Sequence, residues 1–510
     1  MRMTLFAAMM PALSDRHLQK GYASYARNVR TWNGTLRAFH VPSVGQPCDR
    51  ECLSEAAVGS DVRIGVADGK LVHSSDGSRV GLSRPVAAPI VGVDRSGKDQ
   101  VIFRYSSVND YGEESAKSPP SEVAQIEANS YFSINAPTAA YPIRLYAYVN
   151  TSTSGDSTSE DFSNPFANEI FVGEQGRPEL VKMDLTTWGL SATGYDTDDW
   201  CLPEDVKCVV SDEEGYTLAH SDNMIWISER NMPHAYPRRQ VISVEHTIIK
   251  VIPYYDLFFV ITDERPAILR RPVITSGSHQ GLVDPVIAYY SQSQPCLGPP
   301  VATDFGVIYP SRMGLIGLTP TVPDGLTLLT RGVINEDTWF STYLPTAAGW
   351  LNGVYYGWNE AHGWRFDIKD NNQGSYELEA FCEIEAGGKD VCVCGGQIVY
   401  DSRVFDGGKS FLPATWRSMR VVEQGWRIYT VGKVVGLNLE GVLIRLSDPS
   451  TGNMIYTKRL TDADNNRPFR IPAYRGMEFS VQVDLPLSMK EAVVQEVHFA
   501  QTLPELVGQD

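Results

Sequence analysis

The stretch CVVSDEEGYTLAHSDNMIWIS, residues 208–228, places an apolar run on each side of a short polar turn. Runs of Val, Ile, Leu and Trp bounded by Gly, Asp and Asn are typical of strands that form a hairpin. The pattern recurs at residues 62–82, 248–269, 301–318, 350–368 and 378–402. From residue 208 to residue 368 the hairpin centres are about 40 to 50 residues apart, the spacing of four-stranded propeller blades. The sequence therefore predicts an all-β protein built on a β-propeller.

This rhythm stops between the first and second hairpins. Residues 85–184 contain alternating strands such as VIFRYSS, IRLYAYVN and EIFVGE around a Pro-rich join, a pattern typical of a small fibronectin-like or immunoglobulin-like β-sandwich. We therefore expect residues 1–84 to begin the propeller, residues 85–184 to form an inserted sandwich, and residues 185–410 to supply the main blades. Residues 411–510 have long alternating strands, and we expect them to close the propeller by pairing with residues 18–46.

Composition argues against a membrane-spanning protein, a protein that grips DNA, and a small secreted protein held by disulfides. The chain has 510 residues, and no apolar run approaches the eighteen or so residues that a membrane span needs. Its 61 acidic and 44 basic residues give a net charge of −17, which repels phosphate backbones at long range. The eight cysteines lack the regular spacing of a disulfide framework, so we expect reduced thiols.

Helical periodicity is nearly absent, and residues 16–27 are one of the few short stretches that show it. The first residues have a single early Arg and a short apolar stretch at residues 5–10, a weak match to a secretion signal. We therefore expect no cleaved signal.

Two stretches only partly match ligand-binding loops. DGGKS, residues 406–410, resembles the end of a phosphate-binding loop, but Arg403 stands where that loop needs Gly. DADNNR, residues 462–467, begins like a calcium loop, but Arg467 and Ala473 replace the required Gly and Glu. Both stretches are interpreted as turns.

Candidate metal ligands are also weak. Cys392, Cys394 and Cys382 are close enough in sequence for a three-thiolate zinc site, yet no CxxC pair occurs and free Cys is common in β cores. Cys48 and Cys52 lie in a predicted loop and are likewise interpreted as free cysteines rather than metal ligands. The acidic segment at residues 194–207, with Asp196, Asp198, Asp199, Glu204 and Asp205, is predicted to be a hydrated linker rather than a cation site.

Signatures of catalysis are missing from the sequence as well. No HExxH or GxSxG motif occurs, and SDEEGYTL at residues 211–218 is one degenerate copy of the sialidase turn, with Glu213 at the Asp position. We therefore predict no catalytic, cofactor-binding or metal-binding residues, no cofactor, and no enzymatic activity.

The segment MIWISERNMPHAYP, residues 224–237, raises the alternative of an active site, because it contains Glu, Arg and His close together. Residues 224–228 are predicted to be a strand, and Pro233 and Pro237 bracket the following loop, which cannot continue a hydrogen-bonded ladder through them. We therefore predict that His234 and Tyr236 pack and hydrogen-bond in a joint between blades.

Several of these phrases resemble one family, the β-propeller tail nozzle proteins of short-tailed bacteriophages, also called tail tubular protein B. ALSDRHLQKGYASYARNVRTWNGTLRAF (12–39) resembles the family's opening, and FRYSSVNDYGEESAKSPPSE (103–122) resembles its inserted sandwich. The segment at residues 218–269, which contains PHAYP, resembles a family blade, as does CLGPPVATDFGVIYPSRMGLIGL (296–318). The ending VQEVHFAQTLPEL (494–506) is similar too, and the resemblance is weakest over residues 407–481.

The resemblance implies a structural virion protein of the phage tail, assembled in the host cytoplasm. Six copies would form a homohexameric nozzle that extends the DNA ejection channel below the tail adaptor or head-tail connector, with tail fibre or needle proteins as further partners. DNA would pass through without sequence-specific binding, as the net charge of −17 favours. The alternative is a propeller glycosidase, or a carbohydrate-binding protein, acting on host surface polysaccharide.

Overall fold

A computed structural model of the chain describes residues 2–3, 9, 22–32, 35–44, 56–58, 62–93, 97, 99–126, 131–135, 141–150, 169–175, 180–182, 197–270, 273–274, 282–283, 285–321, 324–370, 376–384, 391–394, 397–400, 403–418 and 420–507. Strands dominate these residues, and the predicted all-β fold is confirmed.

Three sheets have the four-stranded order of a propeller blade, in which consecutive strands are neighbours or nearly so. The sheet that contains the opening stretch is Cys208–Ser211, Thr217–His220, Met224–Ile227 and Val241–Ser243. The next is Ile248–Tyr254, Leu257–Thr262, Ala267–Arg270 and Val286–Tyr289. The third is Val301–Thr303, Gly306–Pro310, Leu315–Leu318 and Leu326–Leu328.

The first predicted hairpin forms a three-stranded sheet, Ala56–Val58, Val62–Ala67 and Lys70–His73. Its turn is Asp68–Gly69, and both residues have positive φ, at 49° and 71°. Asn352–Gly353 turns in the same way, at 51° and 80°. Two-residue turns of this kind match the twist of paired strands and favour Asn-Gly and Asp-Gly. Local turn chemistry therefore fixes the register of both hairpins.

The predicted sandwich consists of two sheets. One has the order Ala124–Ile126, Asp99–Ser107, Ile143–Asn150 and Glu169–Gln175. The other has the order Leu180–Lys182, Tyr131–Asn135 and Ile90–Val93. The strand Asp99–Ser107 is its centre, with Val101, Phe103 and Tyr105 fully buried.

A single sheet of fourteen strands gathers the two ends of the chain. Its order is Val29–Trp32, Thr35–Ala38, Val493–Ala500, Val421–Leu437, Pro468–Leu485, Ala414–Ser418, Ala23–Arg27, Tyr376–Ile384, Gly363–Asp370, Val354–Trp358 and Ala347–Leu351. Arg2–Met3 pairs with Val493–Ala500, and Leu443–Ser447 pairs with Pro468–Leu485 and Met454–Arg459.

Two expectations from the sequence differ from the strands observed in this part of the structure. Ala23–Arg27, in the stretch with helical periodicity, is a strand whose Ala23 and Ala26 are buried in the core. Residues 378–402 were expected to be one hairpin, but they contribute to two sheets. Tyr376–Ile384 joins the large sheet, whereas Val391–Cys394, Gln397–Tyr400 and Arg403–Val404 form another with Ser43–Val44.

The remaining elements are short. Two-stranded pairs are Trp200–Cys201 with Tyr236–Pro237, and Val273–Ile274 with Leu282–Val283. Helical turns are Thr197–Asp199, Arg238–Gln240, Glu336–Thr338, Trp339–Tyr343, Asp462–Asp464 and Leu503–Val507. Within the described residues, no helix has the length and apolar character needed to cross a membrane.

The contacts divide the chain into two compact units. One comprises residues 1–50, 261–268 and 288–510, and its core is rich in fully buried indoles, Trp339, Trp358, Trp364 and Trp416. The other comprises residues 51–260 and 269–287. In this second unit a small apolar cluster packs around Tyr236 and consists of Ile64, Leu71, Val80, Val206, Val209 and Ala219. The candidate site lies beside that cluster.

Candidate functional site

The loop PHAYP, residues 233–237, follows the strand Met224–Ile227 and ends in the short pair with Trp200–Cys201. Tyr236 is completely buried in the small apolar cluster, so it links the first hairpin to the sheet of residues 208–243. Burial raises the pKa of its phenol, and among the described residues its hydroxyl has no hydrogen-bond partner. The side chain therefore acts through packing.

His234 points the other way, toward the sandwich. Its Nε2 accepts a hydrogen bond from the backbone N–H of Glu114 at 3.3 Å, and its ring meets the edge of Trp200 at 5.7 Å between centroids. Burial lowers the pKa of this imidazole, and the nearby carboxylates of Glu113 and Glu114 offset part of that effect. A neutral ring suits the contact, because only an unprotonated Nε2 can accept.

Glu113 is the most constrained acid of the site and is only 4% exposed. Its Oε2 accepts from the backbone N–H of Gly81 at 2.8 Å and from Nδ2 of Asn109 at 2.7 Å. Its Oε1 lies 3.1 Å from Nε2 of His73. Two N–H donors therefore satisfy Oε2 of the buried carboxyl group, whereas Oε1 and His73 Nε2 make no hydrogen bond in the described part of the chain.

His73 and the turn YGEES, residues 111–115, are held together by ring stacking. The His73 and Tyr111 rings are 3.8 Å apart at an interplanar angle of 10°. Oδ1 of Asn109 accepts from the backbone N–H groups of Tyr111 and Glu113, at 3.0 and 2.9 Å, which shapes the turn. The turn is therefore preorganised to present Glu113 to the first hairpin.

Glu114 faces the sandwich interior instead. It accepts hydrogen bonds from Ser106 Oγ and Tyr146 OH, and from Arg144 at 2.8 Å. Burial and the adjacent Glu114 carboxylate raise the pKa of the Tyr146 phenol, which stays protonated and donates. The ammonium of Lys117 lies 4.5 Å from the centroid of the same ring. Adjacent glutamates thus serve opposite sides of one joint.

A second contact holds the sandwich through the acidic segment. Both terminal guanidinium nitrogens of the buried Arg104, Nη1 and Nη2, donate to the carboxylate of Asp198, and its Nε donates to the carbonyl of Ser118 at 2.7 Å. Arg84 lies 3.6 Å from the same carboxylate. Asp198 is therefore neutralised by arginines, and the expectation of a merely hydrated linker misses this role. Asp196 lies outside the described residues.

We call this assembly of Glu113, Glu114, His73, His234 and Asp198 with their partners the polar joint. Each acid accepts from named donors within hydrogen-bond distance, and His234 is committed to a backbone N–H. No nucleophilic hydroxyl or thiol among these contacts is paired with a free base. The hydrogen bonds of the joint attach the sandwich turn to Gly81 and to the PHAYP loop.

The other sequence candidates form turns. In DGGKS, Asp406 accepts from the backbone N–H of His40 at 2.5 Å, and the segment continues into the strand Ala414–Ser418 rather than a helix. In DADNNR, hydrogen bonding to Thr461 lowers the pKa of Asp464, and Lys458 lies 3.2 Å from that carboxylate. Both are structural turns between strands.

The cysteine candidates divide into two groups. Cys382 is buried, its thiol donates to the carbonyl of Val29 at 3.1 Å, and burial raises its pKa to about 12. Cys48 and Cys52, and the side chains of Cys392 and Cys394, lie outside the described residues. In the described part of the chain, no three His, Cys, Asp or Glu side chains come close enough to hold a metal ion.

The sequence predicted that His234 and Tyr236 pack and hydrogen-bond between blades. His234 instead bonds the sandwich turn, and the Tyr236 hydroxyl has no hydrogen-bond partner among the described residues. The acids of the joint and Arg104 were not predicted. The one available signal was the adjacent pair Glu113 and Glu114 in a tight turn, since neighbouring residues of extended chain point to opposite sides. Nothing in the sequence indicates their partners, which lie 32 residues away for Gly81 and 120 for His234.

Comparisons with known proteins identify no family. No family model and no curated protein match the chain. Among solved structures, apo AztD from Citrobacter koseri is 9% identical with a TM-score of 0.25, covering 74% of this chain and 99% of that one. PorZ, a surface component of the type-IX secretion system of Porphyromonas gingivalis, is 10% identical with a TM-score of 0.23, covering 57% of this chain and 34% of PorZ. An exo-β-1,3-galactanase from Phanerochaete chrysosporium is 9% identical with a TM-score of 0.19, covering 79% and 100%. Similarity this low supports no inference about function.

Proposed function

We propose that this chain is a structural subunit of a phage tail, a nozzle protein that assembles as a sixfold ring below the tail adaptor. The observation that carries the proposal is the polar joint. Two phrases that resemble the nozzle family, YGEES and PHAYP, meet there through the contact between Glu114 N–H and His234 Nε2. Their charged residues are used for attachment, which is what a building block requires.

The joint gives such a subunit its rigidity. A sandwich inserted by two chain connections would swing about them unless side contacts fixed it. Here Glu113 binds the first hairpin, and Asp198 binds Arg104 of the sandwich. A subunit held in one shape can repeat the same contact around a ring, because closed assemblies need identical geometry at every interface.

The net charge is compatible with a DNA conduit. At −17 the chain repels a polyanion, so DNA could slide without being trapped by binding sites. The residues that line the channel should then be mostly acidic or polar. A mapped channel lined by Lys and Arg would contradict the proposal.

One feature favours the carbohydrate-binding alternative. A cleft of about 540 Å³ lies beside the joint, lined in part by Tyr111, Tyr141, Arg79 and Asp110. The two tyrosines are each 46% exposed, and sugar sites often offer aromatic faces with polar groups around them. If the cleft binds carbohydrate, purified protein will bind host surface polysaccharide, and Tyr141→Ala will weaken that binding.

Negative-stain imaging of the protein together with tail components tests the main proposal. The expected result is a sixfold ring attached to the adaptor, with no density for this chain elsewhere in the virion. Release of reducing sugar from host envelope by the purified protein, lost on mutation of a carboxylate, would instead establish the glycosidase. Absence of the chain from purified virions would refute the nozzle proposal.

A further inference from the structure

The cleft beside the polar joint lies between two parts of the chain that are distant in sequence. One wall consists of residues from the segment 76–82, at the end of the first hairpin. The other wall belongs to the sandwich and consists of residues from the segment 107–111 together with Tyr141. The volume of about 540 Å³ lies within the range of small-molecule sites, which is about 300–1,000 Å³. The cleft is therefore large enough for a ligand that contacts both walls.

Hydrogen bonds and ring stacking hold the two walls together. The backbone N–H of Gly81 donates to Glu113 Oε2 at 2.8 Å. The Tyr111 ring stacks on His73 at 3.8 Å between centroids, and its hydroxyl lies 3.3 Å from Ser75 Oγ. A ligand therefore meets a preorganised cleft and does not have to order its walls, which removes part of the usual cost of binding.

Two tyrosine rings form the aromatic part of the cleft. Tyr111 and Tyr141 are each 46% exposed, and His73 covers one face of the Tyr111 ring, so its other face is open. Tyr141 is followed by Pro142, whose carbonyl accepts a hydrogen bond from the Val108 N–H at 2.8 Å and fixes the chain there. Rigid rings with a hydroxyl at one end can pack on the C–H face of a sugar and also hydrogen-bond its hydroxyl groups.

The cleft also contains two charged side chains that the described fold does not use. Arg84 lies 3.6 Å from the carboxylate of Asp198, and Asp76 is hydrogen-bonded within its own turn. Arg79 and Asp110 line the same cleft and are exposed, and among the described residues their side chains have no polar partner. These two charges are therefore available to a ligand.

The two free charges indicate the chemistry of that ligand. The planar guanidinium of Arg79 matches a carboxylate, to which it can donate two parallel hydrogen bonds. The carboxylate of Asp110 only accepts, so it suits sugar hydroxyl groups and repels a chain of phosphates. The net charge of −17 also disfavours a nucleic acid. A saccharide with one carboxylate among many hydroxyl groups meets all of these conditions.

We propose that the cleft binds an acidic saccharide, whose sugar rings pack on Tyr111 and Tyr141 and whose carboxylate pairs with Arg79. Asp110 accepts hydrogen bonds from the neighbouring hydroxyl groups. The inference rests on the carbohydrate-binding candidate, whose class of sugar it names. It is independent of the nozzle proposal, because a tail subunit can carry such a site on its sandwich.

Titration calorimetry with the purified full-length chain tests the inference. The probes are three matched pairs of tetrasaccharides, built from glucose, galactose or mannose, with and without one uronic acid unit, and a single-stranded DNA tetramer. Arg79→Gln removes the guanidinium, and Tyr141→Ala removes one ring. The matched control is Tyr255→Ala, because Tyr255 is 73% exposed and does not line the cleft. Thermal unfolding verifies that each variant is folded.

We expect at least one acidic tetrasaccharide to bind wild type about tenfold more tightly than its neutral partner, as for a charge-assisted pair. In Arg79→Gln the ratio should fall to about one, with the neutral tetrasaccharide bound as in wild type. Tyr141→Ala should weaken the binding of both about tenfold, because each sugar loses an aromatic face, and Tyr255→Ala should change neither.

Three results would overturn the inference. They are absence of binding to every acidic tetrasaccharide at millimolar concentration, an acid-to-neutral ratio that Arg79→Gln leaves unchanged, and tighter binding of the DNA tetramer than of any saccharide. Imaging of rings separates this inference from the nozzle proposal. Sixfold rings formed by a chain that binds no saccharide would overturn the inference alone, whereas saccharide binding by a chain absent from virions would refute the nozzle proposal alone.

Discussion

Removing the Glu113 side chain tests the polar joint most directly. Glu113→Ala leaves the Gly81 N–H and the Asn109 amide without their acceptor. A buried polar group left unsatisfied costs about 1–3 kcal/mol. Because the two donors share one carboxyl oxygen, their costs do not add, and about 2–3 kcal/mol is the expected loss. Glu113→Gln keeps an acceptor oxygen, and we expect it to cost about 1–2 kcal/mol.

Urea unfolding followed by a signal from the sandwich measures this loss. With a slope of about 2 kcal/mol/M, the Glu113→Ala midpoint should fall by about 1–1.5 M. Hydrogen exchange should show the same weakening in the strand Asp99–Ser107, whose amides are protected by the sandwich. Glu122→Ala is the matched control, because Glu122 is exposed in the same region and should leave the midpoint unchanged. Equal midpoints for Glu113→Ala and Glu122→Ala would refute the account of the joint.

Three further predictions concern single residues. Burial depresses the folded pKa of His234, so the unfolded chain binds a proton that the folded chain does not. The free energy of unfolding should therefore fall as pH drops through the unfolded pKa of about 6.5. In His234→Gln the urea midpoint should change less between pH 7 and pH 5 than in wild type. An equal change in both proteins would contradict this prediction. Gly81 has a φ of +76°, and a Cβ there would lie 2.6 Å from Leu202 Cδ2. Gly81→Ala should cost about 2–4 kcal/mol, and Gly77→Ala, at a φ of +70° with open space around it, about 1 kcal/mol; equal thermal shifts would show that the close contact is unimportant. The Cys382 thiol, with a pKa of about 12, should react with a thiol reagent only after unfolding; rapid modification of folded protein, read by mass spectrometry, would be inconsistent with its burial.

The sequence by itself determined the local structure. Asp68–Gly69 and Asn352–Gly353 specify two-residue turns, and the alternating apolar residues on either side specify strands of defined register. The inserted sandwich could be predicted for the same reason, since its strands and turns are encoded by near neighbours. The bracketing prolines of PHAYP likewise limited that segment to a fixed loop.

The sequence predicted that residues 18–46 pair with residues 411–510, but only the tertiary structure decided the neighbours of each strand. Ala23–Arg27 also lies beside Tyr376–Ile384, and residues 378–402 divide between two sheets, because strand edges are chosen by competition among many similar apolar runs. The contacts of the polar joint likewise formed only when folding brought distant segments together. Glu113 was one of 61 acidic residues in the sequence, and its role arose when folding excluded water and brought Gly81 and His73 to its carboxylate.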